Sequence, residues 1–196
     1  MDGDADAQVG IHGVSGWREA VVLCIIGADG PPMGDPVVLQ DVAFLVSNTV
    51  PHILGGTFGF APGEYGPRSG DIDRIVRDLV DAGLVDPGLG LTGSGRRVHG
   101  PIRDGLDGQL VDAIGFWRTF AVGPTRDELL TFMHASFPET VTDPESVRRI
   151  SGDREANTVS LVAKGSISAG RGAEILGMGY HEFGDLLIRK GVRWKS

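Results

Sequence analysis

EYGPRSGDIDRIVRDLVDAGLV, Glu64 to Val85, is a turn, a capped helix and the start of an extended segment. Ser69 stands where a side-chain oxygen caps a helix. Behind it Ile72, Ile75, Val76, Leu79 and Val80 recur at helical spacing and form one apolar stripe. Gly83 ends the helix with a residue at ease in the left-handed region. The stretch that follows, LVDPGLGLTGSGRRV from Leu84 to Val98, alternates short apolar runs with turn formers. It predicts a two-stranded ribbon turning at Pro87–Gly88.

Upstream, Trp17 to Ile26 reads as a largely buried helix ending at Gly27, and Pro36 to Asn48 as a second helix facing inward through Val38, Val42, Leu45 and Val46. GADGPPMGDP links the two, and HILGGTFGFAPGEYGPRS is a Gly-rich loop with room for one short strand. Two helices, a capped third and a ribbon predict a winged helix-turn-helix. The fold class is therefore mainly α with a small β-wing.

Downstream, a long helix is expected from Arg103 to Phe120, and Gly123–Pro124 marks a domain boundary. Short helices then follow over Arg126–Ser136, Pro144–Ile150, Asp153–Ala163, Ser168–Leu176 and Tyr180–Lys190. The organisation predicted is a disordered leader (1–14), a winged-helix domain with a long C-terminal helix (15–123), and a helical domain (124–196) that carries a second helix-turn-helix at 168–190.

That second motif lies in AGRGAEILGMGYHEFGDLLI, Ala169 to Ile188. Ala173 is small where two helices cross, Gly177 suits a left-handed turn, and Leu176, Met178, Phe183 and Leu186 fill a shared core. Gly172 is the misfit, because a bulkier apolar residue is usual there. On a DNA duplex this unit would present Tyr180 and His181 to the groove, with Arg171, Arg189, Lys190, Arg193 and Lys195 on phosphates. Arg96 and Arg97 would touch the backbone from the wing.

Charge constrains these roles. The formal net charge of −8 falls entirely on residues 1–123, with sixteen acidic and eight basic side chains, while residues 124–196 carry ten of each. The field of the whole chain repels phosphate, so any nucleic-acid contact has to be local. RKGVRWKS, the last eight residues, holds four bases and no acid. The exposed face of the helix over 70–81 offers Asp71, Arg74, Arg77, Asp78 and Asp81. Three carboxylates among five side chains suit a solvated helix face or a protein partner better than a groove lined with phosphates.

Chemistry-bearing motifs are absent from the sequence. Five histidines are scattered without ligand spacing, and the Gly-rich runs lack the Lys-Ser/Thr end of a phosphate loop. No GxSxG elbow occurs. No cofactor, metal or enzymatic activity is expected. The lone Cys24 sits in the apolar run AVVLCII, which is too short to span a membrane, and the acidic N-terminus is unlike an export signal. A cytoplasmic protein is expected. Mean hydropathy of +0.01 with 41% apolar residues fits a globular chain.

Two resemblances add to this reading. VVLCIIGADGPPMGDPVVLQDVAFLV with YGPRSGDIDRIVRDLVDAGLV resembles uncharacterised archaeal and other prokaryotic winged-helix proteins of a YGPxS type, some of them antitoxin-like. The chain departs from them at Asp41, where a base is usual, and in its acidic third helix. KGSISAGRGAEILGMGYHEFGDLLIRKGV resembles a small family of predicted DNA-binding, antitoxin-like helix-turn-helix proteins. The resemblances imply a DNA-binding transcriptional regulator or antitoxin-like protein. The long helix expected over Arg103–Phe120, with the usual pairing of such domains on palindromic sites, adds the expectation of a homodimer. The alternative is an interaction adaptor whose acidic winged-helix half binds a protein partner, for example a toxin, without reading DNA.

Overall fold

A computed structural model describes Val14 and residues 16–194. The expected leader, 1–14, lies outside these residues except for Val14, which is buried. Among the described residues, ten α-helices and one short 3-10 turn account for most of the chain, and the only β-structure is isolated bridges. The chain forms two compact units. The first comprises residues up to Ala61 and Pro67–Thr119, and the second comprises Pro62–Gly66 and the residues from Phe120 onward.

In the first unit, helix α1 (Trp17–Gly27) is the central element, with every residue from Ala20 to Ile26 buried. It packs against α2 (Pro36–Thr49), α4 (Gly70–Asp81) and α5 (Gly93–Asp104). Pro36 opens α2 while Asp35 caps it, accepting from the Val37 amide. A one-turn helix, α3 (Pro51–Leu54), follows. Ser69 caps α4 as the sequence predicts, accepting from the Ile72 amide, and Ile72, Ile75 and Leu79 are buried.

Gln40 fastens the start of α4 to α2. Its amide nitrogen donates to Ser69 O at 3.0 Å and to Asp73 Oδ1 at 2.8 Å, while its oxygen accepts from Ser69 N at 2.9 Å. A buried amide with both ends satisfied fixes a register that apolar contacts alone would leave loose.

The expected ribbon is corrected. A single antiparallel bridge, Val85 to Leu91, closes around a turn in which Asp86 Oδ1 accepts from the amides of Gly88 and Gly90. The second half of the segment is helix α5. Thr92 caps it by accepting from Gly95 N, and Val98 and Ile102, four residues apart, point to the core. The Gly-rich start misleads because Gly95 is there for clearance: a β-carbon on it would stand 2.0 Å from the Leu84 carbonyl oxygen.

The single long helix expected over Arg103–Phe120 is also corrected. It is broken between α5 and α6 (Gly108–Val122). Gly105 donates to Ile102 O to close α5, and Asp107 Oδ1 accepts from Gln109 N to start α6. Local turn chemistry outweighs the continuous apolar spacing. On α6 the buried Arg118 donates to the Pro31 carbonyl and pins the linker after α1.

The second unit begins its helical part with α7 (Arg126–Ser136), which carries a full capping box between Thr125 and Glu128. After the 3-10 turn Pro138–Thr140 comes α8 (Pro144–Ala163), one continuous helix where the sequence predicted two. Gly152, in the gap between the two expected helices, sits exposed inside it, where a glycine weakens a helix by about 1 kcal/mol without ending it. Then come α9 (Ala169–Leu176) and α10 (Tyr180–Arg189). The Pro62–Gly66 segment joins this unit through Gly63 N donating to Thr140 O and the Arg126 guanidinium donating to Tyr65 O.

Candidate nucleic-acid interface

The end of α8, α9 and α10 enclose one core of Val159, Val162, Ala169, Ala173, Phe183, Leu186 and Leu187. Ile167, Leu176, Met178, Val192 and Trp194 pack at its edge. Ser168 caps α9, accepting from Arg171 N. Gly177 ends it at φ 67°, and Met178 N donates back to Ala173 O at 3.0 Å. Two residues later α10 begins. The misfit Gly172 has a physical explanation: the Phe183 ring and the Val162 side chain fill the space a side chain would take.

The predicted contact residues divide by their surroundings. Tyr180 and His181 are exposed at the first turn of α10, with ring centroids 6.1 Å apart in an edge-on arrangement. Arg189 and Arg193 are exposed and make no ion pair among the described residues. Lys190 pairs with Glu155 on α8 at 3.0 Å, both half-exposed. Arg171 is engaged within the unit, donating to Ser136 Oγ at 2.6 Å and Glu174 Oε2 at 2.8 Å, its guanidinium 5.8 Å from the Phe132 ring centre. Lys195 lies outside the described residues. Exposed Glu182 and Asp185 share α10 with Arg189.

Arg96 and Arg97 belong to α5 rather than to a wing. Arg96 donates to Leu91 O at 2.7 Å and Arg97 to Ser94 Oγ at 2.8 Å, and both remain exposed.

On α4, Asp71 is held between Arg18 at 2.9 Å and Arg74 at 2.8 Å. Arg77 donates to the backbone of Asp73, and Asp78 and Asp81 are exposed. The acidic face foreseen from the sequence thus loses one carboxylate to local pairing.

Sequence reasoning missed a cavity of about 230 Å³ in the first unit, bounded by α1, α5 and α6. Cys24, Val111 and Ile114 supply its apolar wall, and Asp29, His99, Arg103 and Thr119 its polar one. Burial pushes the Cys24 thiol up to about 12, against a smaller opposing pull from Arg103. Burial first, and then the Arg103 charge, hold His99 below the ordinary histidine value. His99 Nε2 is buried with no hydrogen-bond partner. No local motif announces this site, because its residues come from three separate segments.

Among the described residues no cluster of His, Cys, Asp and Glu is arranged for a metal, and no helix is long and apolar enough to cross a membrane. Comparisons with protein-family models, with curated proteins and with solved structures find no match.

Proposed function

We propose that this protein is a cytoplasmic, non-enzymatic DNA-binding regulator, antitoxin-like in character, whose C-terminal helix pair reads duplex DNA. The observation that carries the proposal is the pairing of α9 with α10 across the Gly177 turn, with Tyr180 and His181 exposed where a reading helix meets base edges. Arg189 and Arg193 are the phosphate contacts, and Lys190 joins them after leaving Glu155. Asp185 faces outward on the same helix, and a carboxylate there accepts from a cytosine amino group. The winged-helix description of the first unit is supported by α4 and its Ser69 cap, with the Val85–Leu91 bridge as the remnant of a wing.

The functional form is a homodimer. Phe116, 61% exposed on α6, supports an apolar pairing surface. Sedimentation at micromolar concentration tests this, and a monomer there would refute it.

A second reading rests on α4. Arg74, Arg77, Asp78 and Asp81 form an exposed mixed face, and such a face suits a charged protein partner. The deciding experiment is fluorescence anisotropy of the full chain on duplex DNA from its own upstream region, with a scrambled duplex as control, across a salt series. Preference for the native duplex with a steep loss of affinity in salt supports the regulator. Absence of binding at low salt removes it and leaves the α4 face as the surface to pursue.

A further inference from the structure

We propose that the cavity between α1, α5 and α6 binds a small, uncharged, mainly apolar molecule carrying one hydroxyl group, which His99 recognises. The space is about 230 Å³, larger than the roughly 150 Å³ apolar cavity that suffices for benzene. Its wall of Cys24, Val111 and Ile114 offers contact without hydrogen bonds.

Two observations select the ligand. His99 Nε2 is an orphaned polar atom, and buried polar atoms in folded proteins nearly always have a partner. The nitrogen lies beside Gly27, itself part of the cavity wall, where a β-carbon would be 2.8 Å from it. A hydroxyl both donates and accepts, and therefore suits either imidazole tautomer. The second observation is charge. Arg103 and Asp29 both line the cavity and oppose each other, so neither an anion nor a cation has a net partner there. Placing an ion against the apolar wall would be strongly unfavourable. A neutral ligand is what remains.

The test is a titration of the full chain, labelled with ¹⁵N at histidine, with benzyl alcohol, toluene, benzoate and benzylammonium. The expected result is a saturable shift of the His99 Nε2 resonance with benzyl alcohol, at least tenfold tighter than toluene and than either ion. In His99→Phe, which keeps an aromatic ring without its nitrogen, the advantage over toluene should vanish. Equal affinity for benzyl alcohol and toluene in the native chain would overturn the proposal. So would an unmoved His99 resonance at saturating alcohol, a reading that needs no variant to fold.

Discussion

Phe183 lays its ring against the backbone of Gly172, so that a β-carbon there would sit 2.6 Å from Cζ and 2.7 Å from Cε1. The ring is fully buried and cannot retreat without moving α10. Gly172→Val should therefore destabilise the second unit by about 2 kcal/mol, the usual effect of overpacking. Phe183→Leu alone opens a hole, but the double variant should recover part of the loss. A denaturant-based double-mutant cycle measures this coupling, and strict additivity would contradict the contact.

Gly95 is a harsher case, because the obstacle at 2.0 Å is the Leu84 backbone oxygen rather than a side chain that can swing away. Gly95→Ala should cost more than about 3 kcal/mol despite alanine's better helix propensity. Gly100→Ala on the same helix meets nothing within 4 Å and should be neutral or mildly stabilising. Thermal melts of the two variants provide the comparison.

Lys164 Nζ stands 2.6 Å from Glu128 Oε2, whose side chain is 5% exposed. Burial alone would raise this carboxyl, but hydrogen bonds from Lys164, Ser160 and the Thr125 backbone prevail and hold it below its ordinary value. A carboxylate depressed in the folded state adds stability above its unfolded value of about 4.3, and that contribution disappears as pH falls through the folded value. Lys164→Met should cost about 2 kcal/mol at pH 7 and flatten the acid limb below about pH 4.5. Urea midpoints measured from pH 3 to 7 would show both effects.

With its thiol held near 12, Cys24 is almost entirely protonated at pH 8. Iodoacetamide should leave the native chain unlabelled over hours and modify it within minutes in guanidinium. Fast labelling of the native chain would mean that the reagent reaches a reactive thiol through the cavity or that α1 opens readily.

For the helix pair, replacing both Arg189 and Arg193 with Ala should weaken DNA binding uniformly across sequences. The salt slope should become shallower by about 1.8, which is two phosphates at 0.9 each. Lys190→Ala should have a smaller effect, because its ammonium already has Glu155 for a partner. His181→Ala should relax sequence preference while leaving the slope intact.

Capped, amphipathic helices were legible before any coordinates. Ser69 marks a start that its hydrogen bond to the Ile72 amide confirms, and Ile72, Ile75 and Leu79 are buried as spacing requires, while the caps Asp35 and Thr125 emerge only in the structure. Glycine was the unreliable signal. The Gly-rich run from Leu84 to Val98 reads as a ribbon, whereas Gly95 within it is a clearance site inside a helix, and the gap left between Ile150 and Asp153, which holds Gly152, lies in a helix that continues through it. The residue type is the same in each case, and the neighbour that decides its meaning is distant in sequence. The same limit hid Arg171's attachment to α7 and the cavity beside His99, whose partners lie tens of residues away.

Five residues, Pro62 to Gly66, belong to the second unit although the chain on both sides of them belongs to the first. The halves are thus not cassettes that evolution or an engineer can exchange by one cut near residue 120. A fragment starting there would lack the amide of Gly63 for Thr140 and the carbonyl of Tyr65 for Arg126. During synthesis this segment leaves the ribosome more than fifty residues before the helices it joins, so the second unit closes only after most of the first has emerged.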